Sequence, residues 1–168
     1  RFGEEALAQW RSRLGPQALE VYSNPILPSM WYPILPCLAE PTVVLCDLFF
    51  HGDLHGAWES GRFTADEALR GIYRMFAIVG SPHTVLKKGA TAMAQLYRPT
   101  EIAVVDVQEK RATLRITQFP EPHPALDARF GGFVEQSLAI CGVRNLKVTT
   151  GRLMTQGDPC SEYHVRWG

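Results

Sequence analysis

Histidine and carboxylate side chains come closest together in this sequence at His51-Gly52-Asp53-Leu54-His55. An Asp in such a loop could accept a hydroxyl proton during phosphoryl transfer, with an Asn five positions later holding Mg²⁺. That later position is Trp58, and neither a Gly-rich loop nor a phosphate-binding Lys precedes it. Phosphoryl transfer is therefore not expected, and the segment reads as the polar end of a helix. His51 and His55, at i and i+4, could chelate a metal with Asp47 or Asp53. Gly52 and Gly56 weaken the helix that would hold them in register, so solvated or capping imidazoles are expected instead. His83, in the first turn of a helix, and His123, in a Pro-rich connector, read as surface imidazoles. There is no GxSxG elbow, GxGxxG fingerprint or Walker loop, which leaves hydrolase and dinucleotide chemistry without support. The expectation is a protein that is not an enzyme.

Cys37, Cys46, Cys141 and Cys160 follow no CxxC spacing and sit in apolar surroundings, which fits a reducing compartment and argues against a disulfide scaffold. The first three read as buried, inert thiols. Cys160 is the weak metal candidate, and no cofactor is expected. The remaining chemistry is apolar. Trp31, Tyr32, Phe49, Tyr73, Phe76, Met93, Tyr97, Phe119 and Phe133 form the candidate ligand-binding set, since binding cavities are lined largely by such side chains. A packed core is the competing explanation for each of them.

The elements that must position these residues can be read from periodicity. Ala6, Leu7, Trp10 and Leu14 recur at helical spacing, and Gly15-Pro16 stops that helix. A shorter helical turn carries Ala18 to Tyr22. Pro25, Pro28, Pro33, Pro36 and Pro41 exclude long regular structure between Asn24 and Pro41. Yet Ile26, Leu27, Met30, Trp31, Tyr32, Ile34 and Leu35 make this stretch too apolar for a solvated linker, so it is expected to wrap against the core as a packed arm. A helix is predicted from Pro41 to about His51. Thr64-Ala65-Asp66-Glu67 reads as a capping box opening a helix with Leu69, Ile72, Tyr73 and Phe76 on one face. Ser81-Pro82 opens another, with Val85, Leu86, Gly89, Ala92, Met93, Leu96 and Tyr97 as its stripe and Pro99 as its end.

After Pro99 the period becomes two. Ile102 to Val107 and Ala112 to Thr117 flank a polar turn and predict a hairpin whose Ala112, Leu114 and Ile116 face the core. A stiff connector from Phe119 to Pro124 leads to a helix carrying Phe130, Phe133, Val134, Leu138 and Cys141, stopped at Gly142. A second hairpin follows from Leu146 to Trp167. The fold class is thus α+β, with helices on one face of a small antiparallel sheet of two hairpins.

With 168 residues and 46% hydrophobic content, one core is the default: a single domain over 1–168, divided into N-terminal helices with the arm (1–63) and a core (64–168). Lys plus Arg and Asp plus Glu both total 17, so no net basic charge favours nucleic acid or an anionic membrane. No stretch approaches the length of a membrane span and no signal pattern opens the chain, which predicts a soluble, cytoplasmic protein. The start at Arg1 suggests a fragment or processed chain.

The tail from Gly151 to Trp167, with Gly157-Asp158 and Cys160, resembles the closing hairpin of the vinyl-reductase-like domains, in a bacterial branch. These share a fold with the haem-NO-binding and TRAPP-component families. The order before it is similar as well: a helix opening at Ser81-Pro82, a hairpin, then a Gly131-Gly132-Phe133 helix ending at Cys141-Gly142. The resemblance covers roughly residues 64 to 168. It implies a regulatory or sensory domain taking an apolar small molecule between helices and sheet, or a protein-interaction or dimerisation module with a filled core. A homodimer or a protein partner goes with either. The family's sensors carry a zinc site of cysteines around this hairpin, but Met154 stands where the first would align, and a thioether cannot replace a thiolate for Zn²⁺. The Tyr-x-Ser-x-Arg motif that holds porphyrin carboxylates in the haem-binding relatives is absent too.

Overall fold

Helical periodicity in the first third of the chain and alternation in the last third produce two packed layers. The computed structural model describes residues 2–27, 29–69 and 81–168. Helices α1 (Gly3–Arg11) and α2 (Pro16–Ser23) open the chain. After the Pro-rich arm a π-helical turn, Leu35–Ala39, runs into α3 (Glu40–Phe49). Pro36 lacks a donor within this turn, and the Glu40 N–H reaches back five residues to the Leu35 carbonyl. Helix α4 (His55–Ala68) follows, then α5 (Pro82–Leu96), β1 (Glu101–Gln108), β2 (Arg111–Gln118), α6 (Pro124–Ile140), β3 (Lys147–Thr150), a 3₁₀ turn (Met154–Gln156) and β4 (Ser161–Arg166).

The sheet is antiparallel with strand order β1-β2-β4-β3, so the two hairpins meet through β2 and β4. Ala112, Leu114 and Ile116 of β2 face the core, as predicted, with Tyr163 and Val165 of β4 and Val148 of β3. Helices α5 and α6 cover that face through Leu86, Met93, Leu126, Phe130, Val134 and Leu138. The α+β reading holds: helices lie on one face of two paired hairpins. Ser81 caps α5 by accepting from the Thr84 N–H, and Gly142, at φ 79°, ends α6 in the left-handed region.

Three expectations need correction. The Thr64-to-Glu67 pattern opens no helix; it forms the last turns of α4, where Thr64 Oγ1 donates to the Ser60 carbonyl and Asp66 accepts from Gln136 Nε2 at 2.8 Å. The chain turns earlier, at His51 and Gly52 (φ 54° and 79°), and Asp53 Oδ1 accepts from the His55 N–H to begin α4. Ile72, Tyr73 and Phe76, predicted on the following helix, lie outside the described residues. The arm packs only by its second half. Ile34, Leu35 and Leu38 meet the core, whereas Ile26, Leu27, Met30 and Trp31 are exposed. Cys141, expected to be buried, is half-buried.

Against α6 lies α4, and here backbone meets backbone. A Cβ on Gly132 would stand 2.0 Å from the Trp58 carbonyl oxygen, and one on Gly61 would meet the Arg129 carbonyl. Trp58 crosses Gly131 and donates from Nε1 to Glu135 at 2.9 Å. Arg129, half-buried in this seam, donates to Ser60 Oγ and to Thr64 Oγ1. Burial lowers the pKa of its guanidinium from the ordinary value.

Candidate functional site

A cavity of about 640 Å³ opens where α2, the arm, the end of α5 and the connector after β2 converge. Proline is the local cause: Pro25, Pro33 and Pro36 keep the arm from laying a regular face on its neighbours, and Pro99 and Pro120 end the elements opposite. The walls are Ile26, Met30, Trp31 and Tyr32 from the arm and Leu96, Tyr97 and Arg98 from the end of α5, with Cys37, Leu38, Pro120 and Glu121 completing them. Two hydrogen bonds stiffen the arm side. The Tyr22 hydroxyl donates to the Cys37 carbonyl at 2.9 Å, and the Leu27 N–H donates to the Tyr32 hydroxyl at 3.1 Å. The Arg98 guanidinium lies 4.8 Å from the centre of the Trp31 ring, a cation–π contact across the mouth.

Tyr97 is the link between this cavity and the core. Its ring packs 5.5 Å from Phe119 and 5.3 Å from Phe130, and those two meet edge to face at 5.2 Å. Burial raises its pKa, and the same cause raises those of Tyr22 and the Cys37 thiol. All three stay protonated at neutral pH.

The candidate set named from sequence is divided by the structure. Trp31, Tyr32 and Tyr97 line the cavity. Met93 and Phe119 are buried in the core beneath it. Phe133 borders a separate gap of about 30 Å³ between α5, α6 and Leu114 of the sheet. Phe49 stacks on Phe2 at 4.7 Å, on the α1–α3 side. Tyr73 and Phe76 fall outside the described residues. Sequence reasoning missed Arg98, Tyr22 and Glu121; the Pro99 and Pro120 that follow or precede two of them were the available signal.

The histidines contribute no ligand to the cavity. His51 and His55 are exposed, His83 donates from Nε2 to the Gln108 carbonyl, His123 caps α6 through Nδ1, and His164 pairs with Thr113. A haem iron needs an imidazole, thiolate, thioether or phenolate at an axial position. The cavity holds no imidazole; its walls carry the Met30 thioether, the Cys37 thiol and the phenols of Tyr22, Tyr32 and Tyr97. Cys160 is buried, and no cluster of three His, Cys, Asp or Glu suited to a metal occurs among the described residues.

No protein-family profile matches the sequence, and no curated protein matches it. Solved structures do match in fold. An H-NOX protein from S. oneidensis, in its Fe(II)NO state, superposes with TM-score 0.66 at 10% identity over 98% of this chain and 89% of that one. The unliganded Fe(II) H-NOX protein from K. algicida gives TM-score 0.67 at 11% identity over 100% of this chain and 89% of its own. This chain has the H-NOX-like fold. A trafficking protein particle complex subunit 3 from Naegleria fowleri overlaps more loosely, with TM-score 0.48 at 14% identity over 67% of this chain and 75% of its own, and supports no further comparison. Among the described residues no helix is long and apolar enough to cross a membrane.

Proposed function

We propose that this protein is a non-catalytic sensory domain that takes an apolar small molecule into the cavity between the arm and the end of α5. The observation that carries this reading is the cavity itself: about 640 Å³, walled by Trp31, Tyr32, Tyr97 and aliphatic side chains, within the size range of small-molecule sites. The solved neighbours are H-NOX proteins holding Fe(II), one with NO bound, which lends the sensory part of the reading support by analogy. Tyr97 gives the site a route outward. A ligand pressing on its ring presses on Phe119 and Phe130, and so on α6. A cytoplasmic site of action goes with this proposal.

Native mass spectrometry of the purified protein, followed by calorimetric titration with 1-naphthol, tests it. Saturable one-to-one binding is expected, weakened at least tenfold by Leu96→Trp, which sets a bulky ring on the cavity wall. No retained molecule and no saturable binding, or binding indifferent to that substitution, overturns it. A second reading, a dimerisation or protein-interaction module, is favoured by the exposed Ile26, Leu27, Met30, Trp31 and Leu96 around the same mouth. A dimer in the native spectra that Trp31→Ala returns to monomer would support that reading.

A further inference from the structure

The solvent face of the sheet treats its cations differently at its two ends. At one end Arg115 on β2 donates from Nε to Glu162 on β4 at 2.7 Å and lies 3.6 Å from Asp106. Arg152 approaches the same Glu162 at 3.7 Å. These two guanidinium groups are neutralised by two carboxylates. At the other end the register sets Arg111 opposite Arg166, and Arg166 opposite Lys147. Because side chains alternate along a strand, Arg111 shares the face of Arg115, and Arg166 that of Glu162. Three exposed cations therefore stand abreast on β2, β4 and β3.

Among the described residues none of the three has an ion pair, in contrast with Arg115 and Arg152. Like charges directly opposite across strands destabilise a sheet, so the fold carries a repulsion here that it has removed at the other end. Two shallow grooves, of about 560 and 360 Å³, meet along Arg111 and Arg166. Lys110 and Trp167 flank one, and the Trp167 ring is held edge-on by His83 at 5.0 Å. The carboxylates that share these grooves, Asp106 and Glu109, both lie on the β1–β2 hairpin, and Asp106 is directed to Arg115.

We propose that this end of the sheet docks an acidic segment of a partner protein, distinct from the cavity and on the opposite face of the sheet from the core. Charge complementarity names the occupant. Strand spacing makes the row roughly 10 Å long, and alternate side chains of an extended polypeptide lie about 7 Å apart, so two carboxylates of one segment can engage all three cations. A small anion can reach two of them at most.

Fluorescence anisotropy of labelled hexaglutamate at low salt tests the proposal. Salt-sensitive binding is expected, at least tenfold weaker in Arg111→Gln/Arg166→Gln and within twofold of the parent in Lys87→Gln/Lys88→Gln, two exposed cations of α5. Relief of the like-charge repulsion should leave the first variant melting no lower than the parent. If it does not fold, Lys147→Gln, at the end of an edge strand, should weaken binding about threefold. Equal losses in both double variants, or no binding at all, overturn the proposal. So does inorganic phosphate that competes at these residues while hexaglutamate does not bind, since that outcome marks a small-anion site.

Discussion

The seam between α4 and α6 and the mouth between the arm and α5 are built from opposite backbone devices. In the seam, glycines remove side chains where two helices cross, and carbonyl oxygens take the space: Gly132 against Trp58, Gly61 against Arg129. At the mouth, prolines remove regular structure, apolar side chains stay exposed, and about 640 Å³ is left unfilled. Glycine and proline are both helix breakers by propensity, yet one closes the molecule and the other opens it. The difference predicts where added atoms are tolerated.

The largest effect is expected from adding one carbon to the seam. Gly132→Ala places a Cβ against backbone that cannot rotate away, and overpacking of that kind should cost about 3 kcal/mol, read from the urea midpoint. The polar joint between α6 and the closing hairpin should come next. Buried Asp127 accepts from Thr155 at 2.6 Å and, at 3.4 Å each, from Ser161 and Tyr163, whose hydroxyl also donates to the Asp127 carbonyl. Asp127→Ala strands these donors and should cost about 2 kcal/mol by the same measurement.

The same carboxyl carries a pH dependence with a definite sign. Burial raises its pKa above the ordinary carboxylate value, and the three hydroxyls pull it back only in part. The folded state then binds this proton more tightly than the unfolded chain. Its contribution is fullest below the unfolded value, declines as pH rises through the raised one, and is constant above it. Urea midpoints from pH 3.5 to 6 should therefore show the parent losing stability relative to Asp127→Asn as pH rises. The smallest effect on stability belongs to the mouth. Leu96→Trp adds far more volume than Gly132→Ala, yet should change stability by less than about 0.5 kcal/mol in the same urea series because the side chain is 65% exposed. A large loss there would show that the mouth is packed as tightly as the seam.

Legibility in the sequence followed how local each cause was. The hairpins and α5 were readable because alternation in Ala112 to Thr117 and the Ser81-Pro82 start are properties of neighbouring residues. Helix α4 was not. Gly56 and Gly61 lower its intrinsic propensity, and their value appears only once Phe50 and Arg129 are brought against them. Thr64 to Glu67 match a helix start equally well in isolation, and only the Arg129 and Gln136 contacts reveal them as a helix end. Of the candidate site, Trp31, Tyr32 and Tyr97 were named from their chemistry, but nothing local separated them from Phe119, which lies one layer deeper.

The sequence by itself determined the α+β class and the faces that β2 and α6 bury, because hydrophobic periodicity is tied to backbone geometry within a single element. Only the tertiary structure decided which apolar side chains fill the core and which wall a cavity. It also decided which cations find a carboxylate. Those outcomes depend on distances between elements far apart in the chain: Arg115 and Arg111, four residues apart on one strand, differ in what the neighbouring strands set beside them, Glu162 of β4 and Asp106 of β1 for the first and Arg166 of β4 for the second.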